Sequence, residues 1–263
     1  MLLVIDIGNT NVVLGVYDGA VLKAHWRLAT DAKTTSDEYG ILFTNLLASV
    51  GLLPVHISAA IMSSVVPALT STFETLIQQY FHQRPMVVTA ETDTGLRLRY
   101  ANPKEIGSDR LVNAAAAYHK YRRDLIVVDF GTATTFCTIT KEGEYLGGVI
   151  APGLGISAEA LFARAAKLSK VELTKPKTVI GVDTASSIQS GLLFGYAGLV
   201  DALVHRIEQE TGRSAYVIAT DGLSTVIVPE TTTIHKIEPM LTLEGLALLY
   251  RRAIGDLSSA DWV

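Results

Sequence analysis

The chain has 263 residues, 49% apolar and 18% charged, a globular composition with enough apolar material for a sizeable core. Its formal net charge is −4 and it has no dense Lys/Arg block, which excludes a nucleic-acid partner, because binding a phosphate backbone needs a concentrated basic face. The single cysteine, Cys137, excludes an internal disulfide framework and fits a reducing cytoplasm.

In chain order, residues 2–7 predict a strand that runs into the Gly8-Asn9-Thr10-Asn11 turn. A second strand from Val12 to Tyr17, the Asp18-Gly19 turn and a third strand from Val21 to Arg27 follow, and Asp-Gly between apolar runs is a strong hairpin signal. A helix starts near Ser36-Asp37-Glu38 and reaches Val50, with acids in its first turn as the helix dipole prefers. A buried strand near Ile57–Ser63 precedes a helix that begins around Pro67, a residue suited to the first helical position. A helical run covers Leu111 to Tyr121. Asp124–Asp129 then forms a strand leading into Gly131-Thr132-Ala133-Thr134-Thr135, followed by a strand through Ile139, the Glu142-Gly143-Glu144 turn and a strand through Ile150. A long helix spans roughly Ala185–Glu210, a strand Ala215–Thr220, and a last helix Leu243–Ala253. The apolar start meets Asp6 at once and lacks a basic flank, so it makes a poor signal peptide. No uninterrupted apolar run reaches the ~18 residues of a membrane span; Gly191–Val204 comes closest and is broken by Asp201. The expectation is a soluble, cytoplasmic protein with no membrane partner.

The two halves repeat. Ile5-Asp6-Ile7-Gly8-Asn9-Thr10-Asn11 aligns with Val128-Asp129-Phe130-Gly131-Thr132-Ala133-Thr134, and Asp129 lies 123 residues after Asp6. The shared strand–turn–strand–turn–strand order makes duplication a better explanation than chance. Two α/β domains, 1–120 and 121–263, are expected, with a cleft between them, a preferred place for small ligands.

Asp-x-Gly-x-Thr at a strand end suits phosphate. The glycine lets the backbone approach an anion, successive N–H groups and Asn or Thr side chains donate to it, and the carboxylate can hold Mg²⁺ through water. A single copy is equally an ordinary hairpin turn; two copies at equivalent places favour function. Between them, Gly107-Ser108-Asp109-Arg110 opens a helix. Ser108 or Asp109 can be its cap, and a short acid there also suits a general base for a substrate hydroxyl. Gly147-Gly148-Val149-Ile150-Ala151-Pro152-Gly153-Leu154-Gly155 marks close packing or a sharp strand-to-helix bend. Asp183-Thr184 precedes the long helix as its cap, and Thr220-Asp221-Gly222 either approaches a nucleoside or simply turns. The six histidines show no metal-ligand spacing, and no Walker-type loop occurs.

Taken together, Asp6–Asn11, Gly107–Arg110, Asp129–Thr135 and Gly147–Gly153 resemble the type III pantothenate kinase family, of the acetate and sugar kinase/heat-shock chaperone/actin superfamily. The resemblance covers nearly the whole chain. It implies two ribonuclease-H-like (actin-like ATPase) domains in tandem, a homodimer, and ATP-dependent phosphorylation of pantothenate to 4'-phosphopantothenate, the first step of coenzyme A biosynthesis. By matching position, Asp6, Ile7, Gly8, Asn9, Thr10, Asn11, Val12 and Val13 would bind ATP, with Asp6 near Mg²⁺. Asp109 would be the base, with Gly107, Ser108, Arg110, Tyr100 and Thr184 around pantothenate. Asp129 would hold a monovalent cation, K⁺ or NH₄⁺, and Thr132 would contact ATP. The family usually has Thr-Gly-Gly where this chain has Thr220-Asp221-Gly222, which puts a carboxylate beside the nucleoside. The alternative is a nucleotide-binding transcriptional regulator on the same fold, which would have no need of a base at Asp109.

Overall fold

The computed structural model describes residues 1–164 and 171–256. They form two compact units. The first takes Met1–Leu96, Ala101–Lys120 and the described residues from Leu241 onward; the second takes Arg97–Tyr100 and Tyr121–Met240.

The elements in chain order are β1 (Leu2–Ile7), β2 (Asn11–Asp18), β3 (Val21–Ala29), α1 (Ser36–Ser49), β4 (Ala59–Ser64), α2 (Pro67–Phe81), β5 (Met86–Val87), β6 (Arg97–Leu98) and α3 (Ser108–Tyr121). Then come β7 (Leu125–Phe130), β8 (Ala133–Ile139), β9 (Glu144–Pro152), α4 (Leu154–Arg164), α5 (Thr184–Thr211), β10 (Tyr216–Thr220), α6 (Ser224–Ile227), β11 (Lys236–Ile237) and α7 (Leu241–Ala253).

The first sheet has the order β3-β2-β1-β4-β5, and the second β11-β10-β7-β8-β9-β6. In each, a three-stranded antiparallel meander is extended by parallel strands from its first member, β4 on β1 and β10 on β7. The sheets are therefore one topology used twice, with β6 added at the edge of the second. Each sheet supports its own core. Leu3, Ile5, Ile7, Leu14, Phe43 and Phe73 belong to the first; Ile126, Val128, Phe136, Leu193, Val200 and Val217 belong to the second.

Local chemistry explains the helix starts. Thr35 and Glu38 form a reciprocal capping box at α1, with Glu38 Oε2 accepting from the Thr35 N–H at 2.8 Å. Pro67 is the first residue of α2, and Asp183 caps α5 by accepting from the Ser186 N–H at 2.8 Å. Sequence reading found no helix at α4, and it placed α7 in the second half. Yet α7 packs on the first sheet, and Thr242 donates to Asn113 Oδ1 of α3 at 2.8 Å. By length and composition α5 passes as a membrane-crossing helix, although Asp201 interrupts its apolar run; its Leu193, Tyr196, Val200 and Val204 lie in the second core.

Candidate active site

The first loop joins β1 to β2. The Gly8 N–H donates to Asn11 O at 2.9 Å and closes the turn. Thr30, just past β3, pins it by donating from Oγ1 to Gly8 O at 2.7 Å and from its N–H to Thr10 O at 3.0 Å. Asn9 and Thr10 are exposed on this fixed backbone, while Asp6, Gly8, Asn11 and Val13 are half-buried. Ile7 and Val12 are fully buried in the first core, so their side chains are committed to packing and only their backbone groups can serve a ligand.

Asp6 pairs in register with Ser63 of β4, and the Ser63 hydroxyl donates to Asp6 Oδ1. The next residue, Ser64, receives the start of α3: Ser108 Oγ accepts from the Ser64 N–H and donates to Ser64 O, both at 3.1 Å. The Ser108 hydroxyl is thus used between elements and does not cap its own helix. The first intrahelical acceptor is Gly107 O, which takes the Leu111 N–H at 3.2 Å. Asp109 lies inside the first turn, where Oδ1 accepts from the Arg110 N–H at 2.8 Å. Gly107 leaves room for this placement of the carboxylate, since a Cβ there would sit 2.4 Å from Asp109 Oδ1. Burial pushes the Asp109 carboxyl above the ordinary carboxylate range, opposed by the Arg110 N–H and the charge of the buried Arg110 side chain. Asp6, Gly107, Ser108, Asp109 and Arg110 are therefore assembled in the first unit by two adjacent serines at the end of β4. Sequence reading gave Ser63 and Ser64 no role; their place at the end of a strand parallel to β1 is the signal that carries it.

The second loop joins β7 to β8. Asp129 lies opposite Thr135 of β8 and beside Thr220 of β10. Thr132 O accepts from the Gly153 N–H at 3.0 Å, and a Cβ on Gly153 would be 2.3 Å from that same oxygen. The expected strand-to-helix bend after β9 is thus pressed against the loop backbone, and α4 starts there. Tyr196 of α5 holds the loop from behind: its hydroxyl donates to Pro152 O at 2.7 Å and shares a hydrogen bond of 2.5 Å with the Thr134 hydroxyl. Asp221 also reaches the loop: its Oδ2 lies 3.4 Å, and Asp129 Oδ1 3.7 Å, from the place a Cβ would take on Gly131.

Tyr100 and Thr184 both lie in the second unit. The Tyr100 ring packs on Tyr145 with centroids 6.3 Å apart and covers Gly147. Thr184 is the first residue of α5 and lines an open cavity of about 650 Å³ with Leu161, Val182, Asp183, Ser187 and Ile188.

Two copies of a β-meander unit, each with an acid and a glycine at the first strand's end, define a protein of the actin-like ATPase and sugar-kinase fold. Solved structures agree on that fold. The chain matches the ethanolamine utilization protein EutJ of Carboxydothermus hydrogenoformans with TM-score 0.56 at 15% identity, over 94% of this chain and 89% of that one. It matches the ROK hexokinase of Thermus thermophilus with TM-score 0.52 at 12% identity, over 97% and 99%. A Campylobacter jejuni protein assigned provisionally to the Baf family of transcriptional activators matches with TM-score 0.61 at 16% identity, over 96% and 99%.

The family follows from sequence relatives. The family model for type III pantothenate kinase matches residues 2–206. Type III pantothenate kinases of Geobacter sulfurreducens and Brevibacillus brevis are 53% and 50% identical over 252 residues, 96% of this chain and 99% of each relative. The chain belongs to the type III pantothenate kinase family, and it is a kinase using ATP. The regulator alternative is not favoured, since its support is a likeness of fold alone.

Proposed function

We propose that, in phosphorylating pantothenate, the chain uses Asp109 as the base, with the Asp6–Val13 and Asp129–Thr135 loops receiving the phosphates of ATP. The observation that carries this is the assembly at the end of β4, where Ser63 holds Asp6 and Ser64 holds the helix turn that presents Asp109. Asp109 takes the proton of the pantothenate hydroxyl as its oxygen bonds to the γ-phosphorus and the bond to ADP breaks. Burial raises the proton affinity of this carboxylate toward that of a useful base. Gly107, Ser108 and Arg110 are the proposed pantothenate contacts of the first unit, and Tyr100 and Thr184 are those of the second. The backbone N–H groups of both loops, with Asn9, Thr10, Asn11 and Thr132, orient the phosphates, and in phosphoryl transfer positioning and electrostatics supply most of the rate.

Asp6 and Ser63 offer the hard oxygen donors that Mg²⁺ takes. An Mg²⁺ held there would keep ligands from phosphate and water, as that ion usually does. Bound with the nucleotide, it would screen charge on the phosphates. Asp129, beside the loop's threonines, is the candidate holder of K⁺ or NH₄⁺. The same reading makes the protein a cytoplasmic homodimer. Val179, Ile180 and Val182 are 67%, 82% and 93% exposed beside Thr184, an apolar surface that a second copy would cover.

The test is ADP release with Mg²⁺-ATP and K⁺, with and without pantothenate. Pantothenate-dependent ADP is expected, and Asp109→Asn should lower kcat about 10²–10⁴-fold with the fold retained. Near-normal turnover in that variant would remove Asp109 from the base role.

A further inference from the structure

The two Asp-Gly loops are braced at equivalent places by unlike means. Gly153 follows the third strand of the second meander as Thr30 follows that of the first, and it stands 123 residues after Thr30, the offset that separates Asp129 from Asp6. Each gives its N–H to a carbonyl of its loop at 3.0 Å, Thr30 to Thr10 O and Gly153 to Thr132 O. Their other contact differs. A Cβ at residue 153 would lie 2.4 Å from Gly131 O, so in the second loop only bare backbone fits against that carbonyl. In the first loop the matching carbonyl, that of Gly8, leaves room for a side chain and accepts from the Thr30 hydroxyl at 2.7 Å.

The Thr30 hydroxyl thereby holds one end of a rigid plate. The peptide between Gly8 and Asn9 is trans, and a trans peptide is planar with its C=O and N–H opposed. A Gly8 carbonyl turned to Thr30 therefore sends the Asn9 N–H the other way. Gly8 cannot hold this plane by itself, because a residue without a Cβ has a wide choice of backbone angles. Its own N–H is taken by Asn11 O at 2.9 Å, so the N–H of the exposed Asn9 is the first in the turn that a ligand can reach.

We propose that Thr30 is a positioning residue for the phosphate donor: through Gly8 O it fixes the Asn9 N–H in the direction that receives a phosphate oxygen of ATP. This rests on Asp6–Val13 being a phosphate loop. A donor group fixed beforehand needs no reordering when the anion arrives, whereas a loose one must be ordered at that moment.

Thr30→Val keeps the branched shape and the backbone N–H and deletes the hydroxyl, while Thr30→Ser keeps the hydroxyl. ADP release is measured with Mg²⁺-ATP, K⁺ and pantothenate, each substrate varied in turn, with a melting curve for each variant. In Thr30→Val the KM for ATP should rise about tenfold, the effect of losing one well-placed hydrogen bond to a charged group. The KM for pantothenate at saturating ATP should change less than about twofold, and Thr30→Ser should stay within about threefold of the parent in its KM for ATP. A lower melting point with an unchanged KM for ATP would make the hydroxyl a prop of the fold and overturn the proposal. An equal rise in both KM values, or no rescue by serine, would overturn it too. Asp6→Asn separates this from failure of the loop itself. If that variant loses turnover while Thr30→Val matches the parent, the loop stands and only the role of Thr30 falls. If both variants match the parent, the loop is not the donor site and the proposal goes with it.

Discussion

At Asp109, burial and the neighbouring Arg110 act in opposite directions, and burial wins. A base at Asp109, as proposed, must be ionised, so kcat/KM should rise with pH through this raised pKa and then level. Stability has the opposite sign. A carboxyl whose folded pKa exceeds its unfolded value near ~3.9 stabilises the fold below that value, and the contribution is lost as pH climbs through the folded pKa. Asp109→Asn should therefore melt higher than the parent at neutral pH, with the gap closing in acid; calorimetry across pH checks this, and a lower melting point at neutral pH would contradict it. Gly107 tests the position of the same carboxylate. The alanine Cβ would overlap Asp109 Oδ1 at 2.4 Å, the end of a side chain that can swing away. Gly107→Ala should thus keep its melting point while kcat falls on the order of 10²-fold, the penalty of an ångström-scale misplacement. Asp6, Asp109 and Asp129 stand out as candidates in the sequence because each sits in a short local pattern of acid, glycine and hydroxyl. Ser63 and Ser64 do not, because their partners lie 57 and 44 residues away and only the pairing of β4 with β1 brings them together.

At the scale of elements, α3 is attached to the first sheet through one hydroxyl that both donates and accepts. Ser108→Ala removes both bonds and leaves two half-buried backbone groups of Ser64 without them. A loss of roughly 1–3 kcal/mol is expected by denaturant titration, together with reduced kcat, because Asp109 rides on the turn that is released. Thr35→Ala is the matched control. It removes a capping box at α1 and should cost about 1 kcal/mol with kcat unchanged, so a fall in kcat there would show that destabilisation alone lowers turnover. Hairpins and capped helices were readable because Asp-Gly turns, a first-turn acid pair and Pro67 are local devices. The glycines from Gly147 to Gly155 were legible as close packing or a strand-to-helix bend, and Gly153 does let the loop backbone come close; the length of α4 beyond the bend was not, because glycine at 153 and 155 masks the helical pattern at its start.

At the scale of the whole molecule, duplication was legible from seven aligned positions, and the repeated strand order gives it physical form. The ownership of the last helix was not legible, since chain order places α7 in the second half and nothing local contradicts that. Packing assigns it to the first unit: Leu241, Leu243, Leu246, Leu248 and Leu249 are each no more than 2% exposed, and Leu243 Cδ1 comes within 3.1 Å of the place of a Cβ on Gly15 of β2. Burying one such side chain contributes roughly 1.5–3 kcal/mol, so five together rival the roughly 5–15 kcal/mol that holds a typical domain folded. Residues 1–120 alone would expose the sheet face these leucines cover. We therefore expect a fragment of residues 1–120 to lack a cooperative thermal transition. Joining residues 241–256 to its end through a flexible glycine-serine linker should restore one, because the helix supplies the missing face and the linker only has to span the gap. Calorimetry on the two fragments decides the matter. A sharp transition in the short fragment would mean that the first sheet is stable without α7 and that the boundary at residue 120 marks a complete folding unit.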